Sequence, residues 1–375
     1  MSYEAPFAGL RVVDLSQGIA GPYAAMLLAL YGADVVKVEP PEGDWSRTVG
    51  TRYGDQTAFS VAANLGKRSI AVDLKTDAGQ EVVRRLVARG DVFLEGFRPG
   101  VAARLGVGYE AMSALNPRII YLSVSGFGQD GPYRERPAVD TILQSFTGLM
   151  SVNRGGDGVP HRVGAIVADM GTALAAFQAI AVALYARRDE PRGRYLEASL
   201  MQGIAILQTV GMMTSYREGG TIRAGLAPSG VFRAVDGWIT VTILREADFP
   251  KLCDLLEAPD MKRDPRYATN ELRAQNLPAL TETLHAAFGK RTTAEWSARL
   301  TAERIMHERM NEYVDFLKHS HVEATGLIAW LEQPQIGRVP VPRAPGLAPL
   351  VDGTPRATAP SLGQHGKEIL AELGL

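Results

Sequence analysis

The run Gly164-Ala165-Ile166-Val167-Ala168-Asp169-Met170-Gly171-Thr172 sets a single carboxylate among small and apolar residues. From Ala173 onward, Leu174, Phe177, Ala181 and Leu184 recur at helical spacing, and Ala and Ile fill much of the remaining surface. The helix they form is expected to be buried on most sides. Two chemistries fit Asp169. A carboxylate at a helix start can accept orphan backbone N–H groups, a cap worth about 1 kcal/mol that requires no function. Alternatively, the positive end of the helix keeps the carboxylate ionised where water is excluded, which makes it a usable nucleophile.

Other residue types extend the set. Lys67, Arg68, Lys75, Arg98 and Arg104 fall near the ends of expected strands, where open α/β sheets bind ligands. Singly each reads as a solvated charge; their recurrence near loops that can meet in space makes them anion-binding candidates. Ser125-Gly126-Phe127-Gly128 is a glycine-rich turn able to bring backbone N–H groups close to a ligand, and a helix from about Val139 to Met150 with Asp140 and Gln144 follows it. His-Glu-x-x-His, Cys-x-x-Cys, a phosphate-binding loop and Gly-x-Ser-x-Gly do not occur. The six histidines are scattered, so no metal site is expected. The one cysteine, Cys253, sits in an apolar helical pattern and reads as packing; with no disulfide framework the chain fits a reducing cytoplasm.

These groups need a scaffold, and the sequence supplies an alternating one. Leu10–Leu15, Ala33–Glu39, Ser69–Leu74, Asp91–Glu95, Ile119–Ser125 and Arg194–Leu200 read as strands, with helices between most of them. That alternation implies an α/β fold with a mostly parallel sheet covered on both faces. The first strand-turn-helix-strand unit ends at Glu39, near where a dinucleotide-binding fold places its ribose-binding carboxylate. However, the turn carries only Gly18 and Gly21, with Pro22 following, which argues against nicotinamide. Around Gly219–Gly230 the composition shifts to a linker. A hairpin turning at Asp236-Gly237 follows, then a helical pattern from Ala247 to about Phe316. Beyond Trp330 seven prolines prevent regular helix, and such a segment is either disordered or wrapped across another surface. The expected division is a large domain over residues 1–218, a smaller α+β domain over 225–325 and a C-terminal segment over 326–375.

Forty basic and 41 acidic residues among 375 leave a net charge of -1, with no global field to attract nucleic acid or an anionic membrane. Neither a leader segment nor an uninterrupted apolar stretch of about 18 residues is apparent, so no membrane association is expected.

Taken together, the residues resemble the class III CoA-transferase family, which includes formyl-CoA and carnitine CoA-transferases and also 2-methylacyl-CoA racemases. The resemblance covers nearly the whole chain. It rests on Ala20-Gly21-Pro22, Gly32-Ala33-Asp34-Val35-Val36-Lys37-Val38-Glu39, Asn64 with Lys67-Arg68-Ser69-Ile70, Asp73-Leu74-Lys75, Phe97-Arg98-Pro99-Gly100 and Asn116-Pro117-Arg118. Ser125-Gly126-Phe127-Gly128, the Asp169 segment and Leu362-Gly363-Gln364-His365 complete it. It implies a Rossmann-like large domain with a small domain, a C-terminal segment over 326–375 that returns to the large domain across the partner, two chains interlocked as a homodimer, and no tightly bound cofactor. The substrates it implies are an acyl-CoA and a carboxylic acid.

By the same resemblance Asp169 is the covalent nucleophile, and Ile19, Ala20 and Gly21 form the turn near the thioester. Lys75 and Arg104, with Arg68, Arg98, Gly96 and Phe97, belong to the CoA-binding set. Val139 and Asp140 border the substrate pocket. Departures from the family pattern shape the expectation. Val139 stands where the racemases carry a proton-transferring histidine, which favours transfer over racemisation. Gly96 replaces a common asparagine. Pro40, Ile19 and Leu226-Ala227-Pro228-Ser229-Gly230 depart from the formyl-CoA transferase pattern, which argues against formyl and oxalate as substrates, and Gly96 and Pro40 leave room for a non-catalytic CoA-binding homologue.

Overall fold

Val12 points to one face of the first strand and Val13 and Leu15 to the other, and all three are almost wholly withdrawn from water. A strand buried on both sides belongs inside a parallel sheet. In the computed structural model, which describes residues 4–220 and 225–375, β1 (Arg11–Leu15) lies near the middle of such a sheet. It is joined by β2 (Asp34–Glu39), β3 (Arg68–Ala71), β4 (Val92–Glu95), β5 (Ile120–Ser125) and β6 (Arg194–Ser199). The order is β3-β2-β1-β4-β5-β6, and every neighbouring pair is parallel. The expected α/β class and parallel sheet are therefore present. The winding reverses between β1 and β4, so the loops leaving their C-terminal ends diverge and open a crevice.

Helices Ala20–Leu30 and Val167–Ala186 cover one face, where Ala24, Leu28, Ala176 and Ile180 meet Val12, Val35, Leu94 and Leu122. Burying each large apolar side chain there contributes roughly 1.5–3 kcal/mol. By length and composition the helix Val167–Ala186 could cross a bilayer, but here Ala168, Ala176, Ile180 and Ala183 are buried in this core. Helix Asp77–Ala88 and the C-terminal helix Gly366–Leu373 cover the other face against Val13, Val36, Phe93 and Tyr121.

The chain divides into two compact units, Met1–Val210 with Thr325–Leu375, and Gly211–Ala324. The second has its own core, in which Phe232, Ile239, Leu284, Phe288 and Trp296 pack together and Cys253 is buried. Its antiparallel sheet joins β7 (Ser229–Arg233), β8 (Trp238–Thr242) and β9 (Met306–Arg309). The hairpin turns through Ala234–Gly237, closed by the Ala234 N–H donating to the Gly237 carbonyl at 2.9 Å. Strand β9 interrupts the stretch expected to be helical up to Phe316. Of the expected Gly219–Gly230 linker, residues 221–224 lie outside the described residues, and Ser229 and Gly230 already belong to β7.

Within the first unit the proline-rich stretch begins with β10 (Ile328–Gln333) and β11 (Gly337–Pro342), an antiparallel hairpin. Pro340 and Pro342 are tolerated in β11 because a two-stranded sheet leaves each strand a free edge, where no N–H is required.

Candidate active site

The turn after β1 is held from below by buried charge. Asp14 accepts the Ser16 N–H at 3.0 Å and the Ser16 hydroxyl, and Lys67 donates to the same carboxylate at 2.8 Å. Lys67 also donates to the Pro22 carbonyl and the Asn64 side chain, each at 2.8 Å. Lys37 reaches the Ser16 carbonyl and, at 2.9 Å, Asp44, which accepts the Gly18 N–H at 3.0 Å. Burial alone would push the Asp14 carboxyl up, but Lys37 and Lys67 outweigh it and hold the group below its ordinary value. For Lys67 burial dominates over the pull of Asp14 and lowers its ammonium to about 8.

Glu39 belongs to this layer as well. It accepts Arg47 at 2.7 and 2.8 Å, the Asp44 N–H at 3.1 Å and the Ser69 hydroxyl at 3.1 Å, so its carboxylate is committed to the protein itself.

Two glycines shape the turn itself. Gly18 has φ +79°, and a Cβ there would stand 2.2 Å from the Trp45 ring. At Gly21 a Cβ would meet the Ser16 side chain at 2.4 Å. Helix Ala20–Leu30 starts at Ile19 without any side-chain cap. Pro22 has no N–H, and the N–H groups of Ala20 and Gly21 have no hydrogen-bond acceptor among the described residues. Two donors at a helix start therefore stand ready for an anion or an oxyanion.

Asp169 occupies the third position of helix Val167–Ala186, which begins six residues before the expected periodic stretch. It does not cap that helix, contrary to the simpler expectation. Asp140, the first residue of helix Asp140–Phe146, takes that role: its carboxylate accepts the Ala168 N–H at 2.6 Å and the Asp169 N–H at 3.4 Å. Gln144 steadies it, donating to Asp140 at 2.6 Å while accepting the Val163 N–H at 2.8 Å. The Asp169 carboxylate has no hydrogen bond or ion pair with any described residue. Burial, and then the nearby Asp140 charge, push it up to about 7. The expected effect of the helix start, an acid held firmly ionised, is thus reversed.

Asp169 lines a cavity of about 420 Å³ at the β1–β4 crevice, together with Ile19, Ala20, Gly21, Gly96, Phe97, Arg98 and Val139. Four distant stretches named from the sequence are thereby brought together. Asp140 lies buried behind the wall rather than on it. A second cavity of about 240 Å³ shares Gln17 and Phe97 with the first and includes Pro40, Leu74, Lys75 and Leu105. Arg104 ends the short helical turn Val101–Arg104 just before Leu105 and lines neither cavity.

Arg68 is not brought to the site. It begins β3, toward the N-terminal end of the sheet, and pairs with Asp34 and Glu372, each at 2.8 Å, and with Glu368 at 3.2 Å. At Gly96 a Cβ would stand 3.4 Å from the Gln17 nitrogen, so any side chain there would rise from against the turn.

Gln17, Trp45, Arg134 and Arg136 also line the larger cavity and were not singled out from the sequence. The signal for the two arginines was their place between the glycine-rich turn and Val139. Among the described residues no group of His, Cys, Asp and Glu could hold a metal ion.

The family model described as CoA-transferase family III matches residues 7–366. The mouse succinyl-CoA:glutarate CoA-transferase is 32% identical over 377 aligned positions, which cover 98% of this chain and 86% of that protein. The acetyl-CoA:oxalate CoA-transferase of Acetobacter aceti is 39% identical over 299 positions, 78% of this chain and 77% of that protein. A crystal structure of a CAIB/BAIF family protein from Brucella suis superposes with a TM-score of 0.87 at 33% identity, covering 99% of this chain and all of that one.

Proposed function

Since the chain belongs to CoA-transferase family III and is an enzyme of that class, we propose that it moves CoA between an acyl-CoA and a carboxylic acid through the side chain of Asp169. The observation that carries the reading is the Asp169 carboxylate itself, which lines the cavity without a partner. An ionised carboxylate left unpaired in a half-buried site is a stronger nucleophile than one bound to a cation or capped by N–H groups.

Asp169 attacks the thioester carbonyl, forming a mixed anhydride and expelling CoA thiolate. The thiolate attacks the aspartyl carbonyl, releasing the donor acid as its carboxylate and leaving an aspartyl-CoA thioester. An acceptor carboxylate then attacks that thioester, giving a new mixed anhydride and the thiolate again. Attack of the thiolate on the acyl carbonyl releases the new acyl-CoA and regenerates Asp169. Each step exchanges one anion for another, so no metal, redox cofactor or net proton is consumed. The free N–H groups of Ala20 and Gly21 suit the oxyanion formed at each attack.

The smaller cavity with Lys75 and Phe97 suits the remainder of CoA; Arg98 lines the larger cavity beside Phe97, which both cavities share, and Arg104 directly precedes Leu105 of the smaller one. Val139 lines the cavity where a racemase needs a proton carrier, and a valine side chain cannot transfer a proton. A homodimer is supported by Leu174, Val182, Tyr185 and Ile206, all more than half exposed on helices of the first unit.

The test is an intact-mass spectrum after incubation with a panel of acyl-CoA esters, then hydroxylamine trapping and peptide mapping. A hydroxamate at Asp169 is expected, and Asp169→Asn should form none while transfer falls by at least about 10³-fold. A trapped adduct at another residue, or substantial turnover by the variant, would overturn the reading.

A further inference from the structure

We propose that a third cavity, next to the one containing Asp169, binds a small organic ammonium ion, held by the carboxylate of Glu95 and the rings of Tyr109, Tyr121 and Tyr195. The inference goes beyond the Asp169 reading and does not rest on it. This cavity measures about 440 Å³ and shares only Arg98 and Pro99 with the Asp169 cavity, and no residue with the one containing Lys75.

Glu95 ends β4 and is 3% exposed. Its carboxylate accepts the Ser123 hydroxyl and, at 2.8 Å, the Phe97 N–H, but among the described residues no Lys or Arg pairs with it. The other fully buried carboxylates are compensated. Asp14 pairs with Lys67, Glu39 with Arg47, Asp44 with Lys37 and Asp248 with Arg245, while Asp140 caps a helix. Burial without a cation pushes the Glu95 acid above its ordinary value. An ammonium in the cavity supplies the missing charge.

The walls suit the same ligand. The rings of Tyr109, Tyr121 and Tyr195 cluster with centroids 5.1–5.9 Å apart, and all three line the cavity. Aromatic rings attract an organic cation, and the attraction grows as water is excluded. The Tyr121 hydroxyl is committed to the Val107 carbonyl at 3.0 Å, which leaves its ring to serve. Gln129 adds an adaptable group: its buried Nε2 has no hydrogen-bond partner. Turning that amide over presents its oxygen to an ammonium N–H.

Charge separates this cavity from its neighbour. Arg98, Arg134, Arg136 and one carboxylate line the Asp169 cavity, whereas Glu95, Glu110 and Arg98 are the charged residues of this one. CoA and carboxylic acids are anions and bring nothing positive to Glu95, so the substrates of the reaction do not account for it.

The experiment is calorimetric titration of the full-length protein with benzylammonium, benzyl alcohol and benzoate, which share a ring and differ in charge. Benzylammonium is expected to bind at least about 10-fold more tightly than the other two. Glu95→Gln should remove that preference and leave the weak binding of benzyl alcohol unchanged. Tyr195→Leu should weaken benzylammonium by about 3-fold. Asp169→Asn and saturating CoA should leave its affinity as it is.

Absence of benzylammonium binding at millimolar concentration would overturn the proposal, as would a preference for the cation that survives Glu95→Gln. Loss of binding in Asp169→Asn, or displacement by CoA, would place the amine in the reaction cavity and overturn it equally. Should Glu95→Gln fail to fold, Tyr109→Leu and Tyr195→Leu decide: an unchanged affinity in both removes the site.

Discussion

Asp14 and Asp169 are both largely withdrawn from water in the same unit, yet their carboxylates stand in opposite surroundings. Asp14 is fully buried, takes hydrogen bonds from Ser16 and Lys67 and has Lys37 at 4.0 Å, and its acidity is held below the ordinary value. Asp169 has a cavity in front of it, no cation beside it and the Asp140 charge behind it. The first arrangement spends all of a carboxylate's acceptor capacity on structure and makes it inert. The second withholds every partner, which costs stability and keeps the oxygens available for chemistry.

The comparison is most open to attack at Asp14. Asp14→Asn should destabilise the first unit by about 3–5 kcal/mol, since it takes from the buried Lys67 ammonium its carboxylate partner while Lys37 keeps Asp44, and the loss would show as a lower urea midpoint. A variant as stable as the wild type would mean that the buried cluster is not what holds the turn. At Asp169 the same substitution should have the reverse effect on folding. Asp169→Asn should be at least as stable as the wild type at pH 8, because an amide is easier to bury unpaired than a carboxylate.

The sign follows from the shift. Asp169 titrates at about 7 in the folded chain against an ordinary value of 3.8. Its contribution to stability is therefore full below about 3.8 and is lost as the pH rises through about 7. Melting temperatures of wild type and Asp169→Asn should diverge over that window and run parallel above it. In the same window the rate of Asp169 acylation should climb with pH and level off above about 7, as the nucleophilic form fills. The smallest expected effect sharpens the picture further. Asp140→Asn keeps an oxygen for the Ala168 N–H but removes the nearby charge, so the midpoint of that pH profile should move down. An unmoved midpoint would leave burial as the sole cause.

Much of the scaffold was legible because parallel strands buried on both faces announce themselves as short β-branched runs, as Val12-Val13 and Val35-Val36 do. Asp169 stood out for a related reason, as a carboxylate amid Gly, Ala and Ile, but the pattern fitted a helix cap as well as chemistry, and the cap falls to Asp140. The partners of Asp169 were not legible. That Asp140 caps the Asp169 helix depends on a contact across 28 residues, and no local pattern encodes it. Arg68 looked available for a ligand because its three carboxylates sit 34 residues before it and about 300 after it. Glu39 fell at the distance expected of a ribose-binding residue, but Arg47, close by in sequence, claims it. The hairpin of β10 and β11 was hidden by its prolines, which are strand-breakers only where both edges must pair.

The first unit is discontinuous in sequence, and this bears on how the chain is made. Its last piece seals it: Arg47 and Gln56 both donate to the Pro360 carbonyl, while Leu331, Leu347, Ala357 and Ala359 cover Met26, Leu30 and Leu65. During synthesis all of residues 211–324 emerge before that piece exists. At translation rates of about 5–20 residues per second the gap lasts roughly 6 to 23 seconds. The second unit thus has its full sequence first, while the nascent first unit, Asp169 included, waits with an oily seam open to whatever holdase meets it at the tunnel exit.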